Sequence, residues 1–245
     1  MFRKAANFPL LDGVDFREII ETATGVPCQS VPLGLAFYFG ESESLPPDTN
    51  TMVVYWDLGV GVIFGRGSQL FPLGADRHDG TPTLPELGHI RIEKNGRICH
   101  CGRRGCLEAY TGGWALMETL RRKSVRRLSD FIKLVQHGDA DALRLACAAA
   151  TRLGRHLAPF IQVMRASQVR VCGPMAPVFE LVSEDFCKGL EHLFDAKEIA
   201  RLNPSASPAI EERFLRGAHR LARRLFTHPD ENGVLRTPVS LDEQD

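Results

Sequence analysis

The chain has 245 residues, 44% hydrophobic and 24% charged, which is ample for a sizeable core and ordinary for a soluble globular protein. Its 30 basic and 30 acidic side chains cancel, which argues against nucleic-acid binding through bulk charge. No run of 18 apolar residues is present, and the opening MFRKAANFPLLDG has no signal-peptide core, so no membrane partner and a cytoplasmic location are expected.

The first pattern, Val14 to Gly25, predicts a helix. Asp15 caps it, Phe16, Ile19, Ile20 and Ala23 share one face, and Gly25 ends it. A strand is predicted over Val26 to Val31, then a short buried helix over Leu33 to Glu41 and a Pro/Ser-rich loop to Asn50. Thr51 to Trp56 and Gly59 to Phe64 read as strands, with a turn at Gly65 to Gly67 leading into Gln69 to Phe71. Residues 74 to 112 show little regular pattern. Helical spacing resumes over Gly113 to Arg122, Ser129 to Gln136 and Asp139 to Arg165, with a kink expected near Pro159. Gln168 to Cys172 reads as a strand, Pro177 to Phe194 as a helix, Lys197 to Leu202 as a strand and Ala209 to Phe226 as a helix. A loose polar tail is expected from Thr227. Strands interleaved with helices indicate an α/β fold.

The densest chemistry lies in Cys99-His-Cys101-Gly-Arg-Arg-Gly-Cys106-Leu-Glu108, with Glu86-Leu-Gly-His89 upstream. Three thiols and one imidazole make a closed tetrahedral donor set suited to structural zinc. Gly102 and Gly105 would let the backbone turn around the ion. A disulfide alternative is weak, since three is an odd number and Cys99 and Cys101 are too close to pair easily. Glu86 and Glu108 read equally as binding groups or as solvated loop residues. The other cysteines, Cys28, Cys147, Cys172 and Cys187, sit in apolar contexts and read as small buried residues in a reducing compartment. The basic run Arg121-Arg122-Lys123, Arg126-Arg127 reads as a solvated surface.

The Glu-x-Gly-His and Cys-x-Cys-Gly-x-x-Gly-Cys-x-Glu elements resemble the signature of the ROK family of bacterial sugar repressors and sugar kinases. The resemblance extends through Met52 to Gly65, the long helix to Arg165, the strand Val169 to Gly173 and the helix around Gly217. It implies two actin-like (ribonuclease H-like) lobes, each a mixed sheet with flanking helices, with a sugar in the cleft. It also implies zinc ligands at His89, Cys99, Cys101 and Cys106, and a sugar or amino sugar held by Glu86, His89 and Glu108. One imidazole nitrogen of His89 would bind metal and the other a hydroxyl. On this view residues 1–57 are the remnant of an incomplete first lobe and residues 58–226 a second lobe with its zinc loop at 86–108. Residues 227–245 form the tail.

Departures from the family pattern shape the functional expectation. In the family's kinases an Asp in a Glu-Asn-Asp run is the general base. The matching run here is Val31-Pro32-Leu33, and the nearest downstream carboxylate, Glu41, is at least two helical turns away. The phosphate loop Gly-Thr-Gly-Ile-Gly-Ala-Gly has become Gly59-Val60-Gly61-Val62-Ile63-Phe64-Gly65, and Gly-Gly has become Gly173-Pro174. The Asp-x-Gly-Gly-Thr motif is not found. A lost general base alone costs about 10²–10⁴-fold in rate. These features lead to the expectation of a pseudokinase: the sugar-sensing effector module of a transcriptional regulator, with no catalytic residue, weak sugar binding and no assigned nucleotide site. A homodimer is expected, and DNA contact only through a helix-turn-helix that the 13 residues before Val14 cannot hold. The alternatives are an active ATP-dependent hexose or N-acetylhexosamine kinase and a structural, zinc-stabilised dimer with no small ligand.

Overall fold

A computed structural model describes residues 11, 13–28, 31–71, 84–122, 124–207 and 210–227. Its centre is a five-stranded mixed sheet ordered β3-β2-β1-β4-β5. These strands are β1 (Asn50–Trp56), β2 (Val60–Arg66), β3 (Gln69–Leu70), β4 (Gln168–Cys172) and β5 (Ser205–Ala206). β1 runs antiparallel to β2 and parallel to β4, which in turn is parallel to β5. The expected boundary between residues 57 and 58 thus falls in the turn joining two strands paired along their whole length.

Side-chain alternation explains why these segments are strands. Met52, Val54 and Trp56 of β1, Val60, Val62 and Phe64 of β2, and Val169 and Val171 of β4 point to one face. There α6 (Ala140–Val163) and α7 (Ala176–Leu190) cover them with an alanine-rich, close-packed layer. Val53, Ile63 and Cys172 point to the other face, under α2 (Leu33–Ser42) and α9 (Ile210–Thr227). With both faces covered, the central strands read as near-continuous apolar runs.

The remaining helices are α1 (Phe16–Thr24), α3 (Glu108–Thr111), α4 (Gly113–Leu120), α5 (Leu128–Gln136) and α8 (Ala196–Leu202). α1 is capped as expected: the Asp15 carboxylate accepts from the amides of Arg17 and Glu18, and Gly25 adopts the left-handed conformation. Among the described residues none of its side chains is buried; Ile19 and Ile20 are 55% and 43% exposed. The strand expected over 26–31 is irregular at Val26–Cys28 and Val31, and residues 29–30 lie outside the described set. The strand expected at Lys197–Leu202 is helix α8. Asp195 and Glu198 form a reciprocal capping box at 2.8 Å in each direction, and Asn203 closes the helix with φ 44°. α6 continues through Pro159; the residue with non-helical angles is Val182 in α7 (φ −121°, ψ 15°). β2 extends through Gly65 and Arg66, placing the turn at Gly67, φ 54°. The tail beyond 227 lies outside the described residues. Among the described residues no helix is long and apolar enough to cross a membrane.

α2 and α9 cross where both lack side chains. A Cβ on Gly217 would overlap the Ala36 carbonyl oxygen, and one on Gly40 would overlap that of Arg213. Gly217→Ala should therefore force the helices apart and destabilise the protein by about 1–3 kcal/mol. Thermal unfolding measures it, and an unchanged melting temperature would show that the crossing is looser than described.

Candidate functional site

The loop between β3 and α3 is built around its cysteines. Leu87–His89 forms a 3-10 turn that carries His89 inward. The chain then runs out and back as an irregular antiparallel ribbon. Arg91 bridges to Cys106 and Ile98 to Arg104, and the amides of Ile92, Cys99 and Gly105 donate to carbonyls across it at 2.7–2.8 Å. Gly102 (φ 85°) and Gly105 (φ 73°) supply the left-handed turns, and a Cβ on Gly105 would overlap the Glu93 carbonyl.

This path brings His89, Cys99, Cys101 and Cys106 together. Their ligand atoms all lie within 4.8 Å of one another, with Cys99 Sγ 3.6 Å from His89 Nδ1 and Cys101 Sγ 3.7 Å from Cys106 Sγ. A tetrahedral ion with bonds of about 2.3 Å to sulfur and about 2.0–2.1 Å to nitrogen has edges of about 3.4–3.8 Å. The separations match such edges and far exceed a disulfide bond, and all these cysteines are free thiols. Burial pushes the Cys99 thiol up to about 12 and that of Cys106 above its ordinary value. Burial also works against ionisation of Cys101, yet the Arg103 guanidinium and the neighbouring thiols hold it below its ordinary value. Buried thiols of this kind ionise when a cation occupies their centre. The four residues fit a metal.

The expected ligand trio is adjacent to this centre. With Nδ1 facing the thiols, His89 turns Nε2 toward Glu86, 4.0 Å from its Oε2. The Glu86 side chain is 77% exposed, that of His89 14%. Glu108 differs: it is 3% exposed, and Oε2 accepts from the Val60 amide at 3.0 Å while Oε1 accepts from the Trp114 indole at 3.2 Å. A Cβ on Gly88 would lie 3.4 Å from Glu108 Oε2 and overlap the Val60 carbonyl, which explains the glycine before His89. Trp114 also stacks on His100, centroids 3.8 Å apart. The sequence reading singled out neither Trp114 nor the Val60 amide; one of only two tryptophans, six residues after Glu108, was the available signal.

The position of the expected general base is apolar. Leu33 opens α2 with its side chain 49% exposed. Glu41, at the far end of α2, is fully buried, accepting from the Ser207 hydroxyl and, at 3.0 Å, from Arg213 Nη1. Burial holds its carboxyl above the ordinary range against these partners. Asp57, in the turn before the Gly59–Gly65 loop, accepts from the Tyr55 hydroxyl at 2.6 Å.

The ROK family model matches residues 3–224. An N-acetylmannosamine kinase of Yersinia pestis (strain Pestoides F) is 28% identical over 157 residues, covering 62% of this chain and 49% of its own. The chain thus spans about half the length of the curated relatives it matches. A ROK family glucokinase from Streptomyces griseus, solved with glucose and AMPPNP, superposes with TM-score 0.71 at 21% identity, over 87% of this chain and 73% of that one. A ROK family transcriptional regulator, a homologue of the E. coli MLC protein, superposes with TM-score 0.65 at 18% identity, over 82% and 53%. These neighbours share the mixed-sheet, actin-like architecture.

Glu108→Gln keeps the shape but offers one acceptor oxygen to two buried donors. Leaving either Val60 N–H or Trp114 N–H unpaired should cost about 1–3 kcal/mol, read as a lower urea midpoint. An unchanged midpoint would mean that the two donors have other partners.

Proposed function

The chain belongs to the ROK family, and from that premise we propose that it is the sugar-sensing effector module of a ROK-type transcriptional regulator, zinc-stapled and without kinase activity. The observation that carries this reading is Leu33. An apolar side chain stands where the family's kinases hold their base, and Glu41, the nearest carboxylate along α2, is committed to Ser207 and Arg213. Further support comes from the nucleotide side. Val60 and Ile63 replace polar and small residues of the phosphate loop, and Pro174 lacks an amide hydrogen. Phosphoryl transfer needs a cradle, a cation clamp and an oriented hydroxyl, and these substitutions weaken the first and last.

His89, Cys99, Cys101 and Cys106 would hold a structural zinc, which fixes the loop that presents Glu86 and the free face of His89. Carboxylates suit sugars because each oxygen can accept from a hydroxyl. Glu108 would contribute through its remaining lone pairs, since both oxygens already serve the protein. With Leu33 in place of polar contacts, sugar affinity is weak. Self-association of the zinc-bearing lobe belongs to the same reading, and a clean monomer at micromolar concentration in sedimentation would remove it.

Two measurements test the core of the proposal. Purified protein should carry one zinc per chain by elemental analysis. Cys106→Ser should lose it and increase hydrogen exchange across residues 86–108; full protection without metal would refute the staple. Coupled assays with ATP and glucose, mannose, N-acetylglucosamine or N-acetylmannosamine should show no sugar-dependent ADP release. Leu33→Asp alone should not create it. Sugar-dependent turnover by the parent chain would establish the kinase reading instead.

A further inference from the structure

The ribbon around the metal site is strongly cationic. Arg91, Lys94, Arg97 and Arg104 are exposed along it. Arg97 and Arg152 of α6 both lie over the Tyr110 ring, at 4.9 and 5.4 Å from its centroid, which joins the ribbon to α6. Arg155 lies one turn of α6 beyond Arg152, and both sit with His192 and Glu93 around His156, so the basic charge continues along the helix with Glu93 as the acidic neighbour. Among the described residues none of these six cations makes an ion pair, whereas Arg66, Arg122, Arg213 and Arg220 each have a carboxylate partner. The ribbon's own carboxylate, Glu93, is bound by the Tyr110 hydroxyl at 2.6 Å.

This surplus stands out because the whole chain is formally neutral. Like charges held within a Debye length, about 8 Å at physiological salt, reinforce one another and steer anionic partners. A twofold dimer seam through this face would set cation against cation. Amid the charges, Ile98 is 60% exposed, next to Arg97 and bridged to Arg104. A phosphate backbone offers nothing apolar to that side chain, whereas a protein segment does.

We propose that the ribbon 91–104 and the adjoining turn of α6 form a docking surface for an acidic protein segment bearing an apolar side chain that seats on Ile98. The ribbon's cross-bridges, Arg91 to Cys106 and Ile98 to Arg104, hold the cations in an array before the partner arrives, and a metal at the proposed site would hold it more firmly. The surface uses side chains other than Glu86, His89 and Glu108, so its failure and the failure of the sugar-site reading are distinguishable.

The test is fluorescence-anisotropy titration of the full chain with three labelled probes: a Glu-Glu-Leu repeat peptide, a Glu-Glu-Ser repeat peptide and a short duplex DNA. The leucine peptide should bind tightest, with affinity falling as salt rises. The double variant Arg91→Glu/Lys94→Glu should weaken it about tenfold or more, and Ile98→Ser should weaken the leucine peptide alone. Arg91 and Lys94 have no side-chain hydrogen bond among the described residues, so this pair tests the surface without disturbing the fold; Arg126→Glu, at an exposed position in the connection between α4 and α5 and outside the ribbon, serves as a control and should change nothing. Undetectable peptide binding, affinity unchanged in the double variant, or equal binding of the two peptides would overturn the proposal. Duplex DNA binding tighter than the leucine peptide would overturn it in favour of a nucleic-acid surface.

Discussion

A single buried carboxylate ties the sheet, the cysteine loop and the helical layer together. Glu108 follows Cys106 by two residues and opens α3, so the loop dictates where it sits. One oxygen takes the backbone amide at the start of β2 and the other takes the indole of α4. A carboxylate with 3% exposure is tolerable only because charge-assisted hydrogen bonds replace its water. A side chain at position 88 would run into the Val60 carbonyl and reach Glu108 Oε2, so glycine there lets the His89 turn sit close against β2. Loop, strand and helix cannot move independently without leaving a buried donor or acceptor unmatched.

The loop itself has little else to hold it. Its described regular structure amounts to one 3-10 turn and two isolated bridges. Cys99 and Cys106 are buried with Tyr110 and Trp114 in a small cluster of their own, apart from the two cores that flank the sheet. A cluster of that size contributes modestly, so the loop's order depends on backbone hydrogen bonds and on what the four donors bind. That dependence is why the charged groups on the loop's outer surface and the ligand-facing side of His89 share one physical support.

Legibility from sequence followed the strength of local signals. The central strands were readable because apolar residues on both faces admit one interpretation at that length, and α1 was readable from Asp15 and Gly25 at its ends. The gathering of His89 with Cys99, Cys101 and Cys106 was readable because soft donor residues at that spacing have few other uses. α8 was missed because Lys197 to Leu202 was read as a short strand while the Asp195–Glu198 capping box went unread. The ends of α1 were legible but not its surroundings: amphipathic spacing shows which side could be buried, not what lies against it. Least legible was the state of Glu108. Sequence gives a carboxylate next to a cysteine, but its engagement by an amide 48 residues earlier is a property of the fold.

Losing a base and keeping a binding frame are not symmetric changes. On the proposed reading Leu33 stands in place of that base, and because it is half exposed at the helix start the substitution leaves α2 and its crossing with α9 intact. Glu41, eight residues on, cannot substitute, since drawing it out would strip Arg213 and Ser207 of their partner and expose the seam between α2 and α9. The frame is harder to lose. Altering Glu108, Gly88 or a thiol strikes the hydrogen bonds and close contacts that seat the loop on the sheet. On the proposed reading, the group given up for catalysis sat where substitution is cheap, and the groups kept for recognition sit where it is structural.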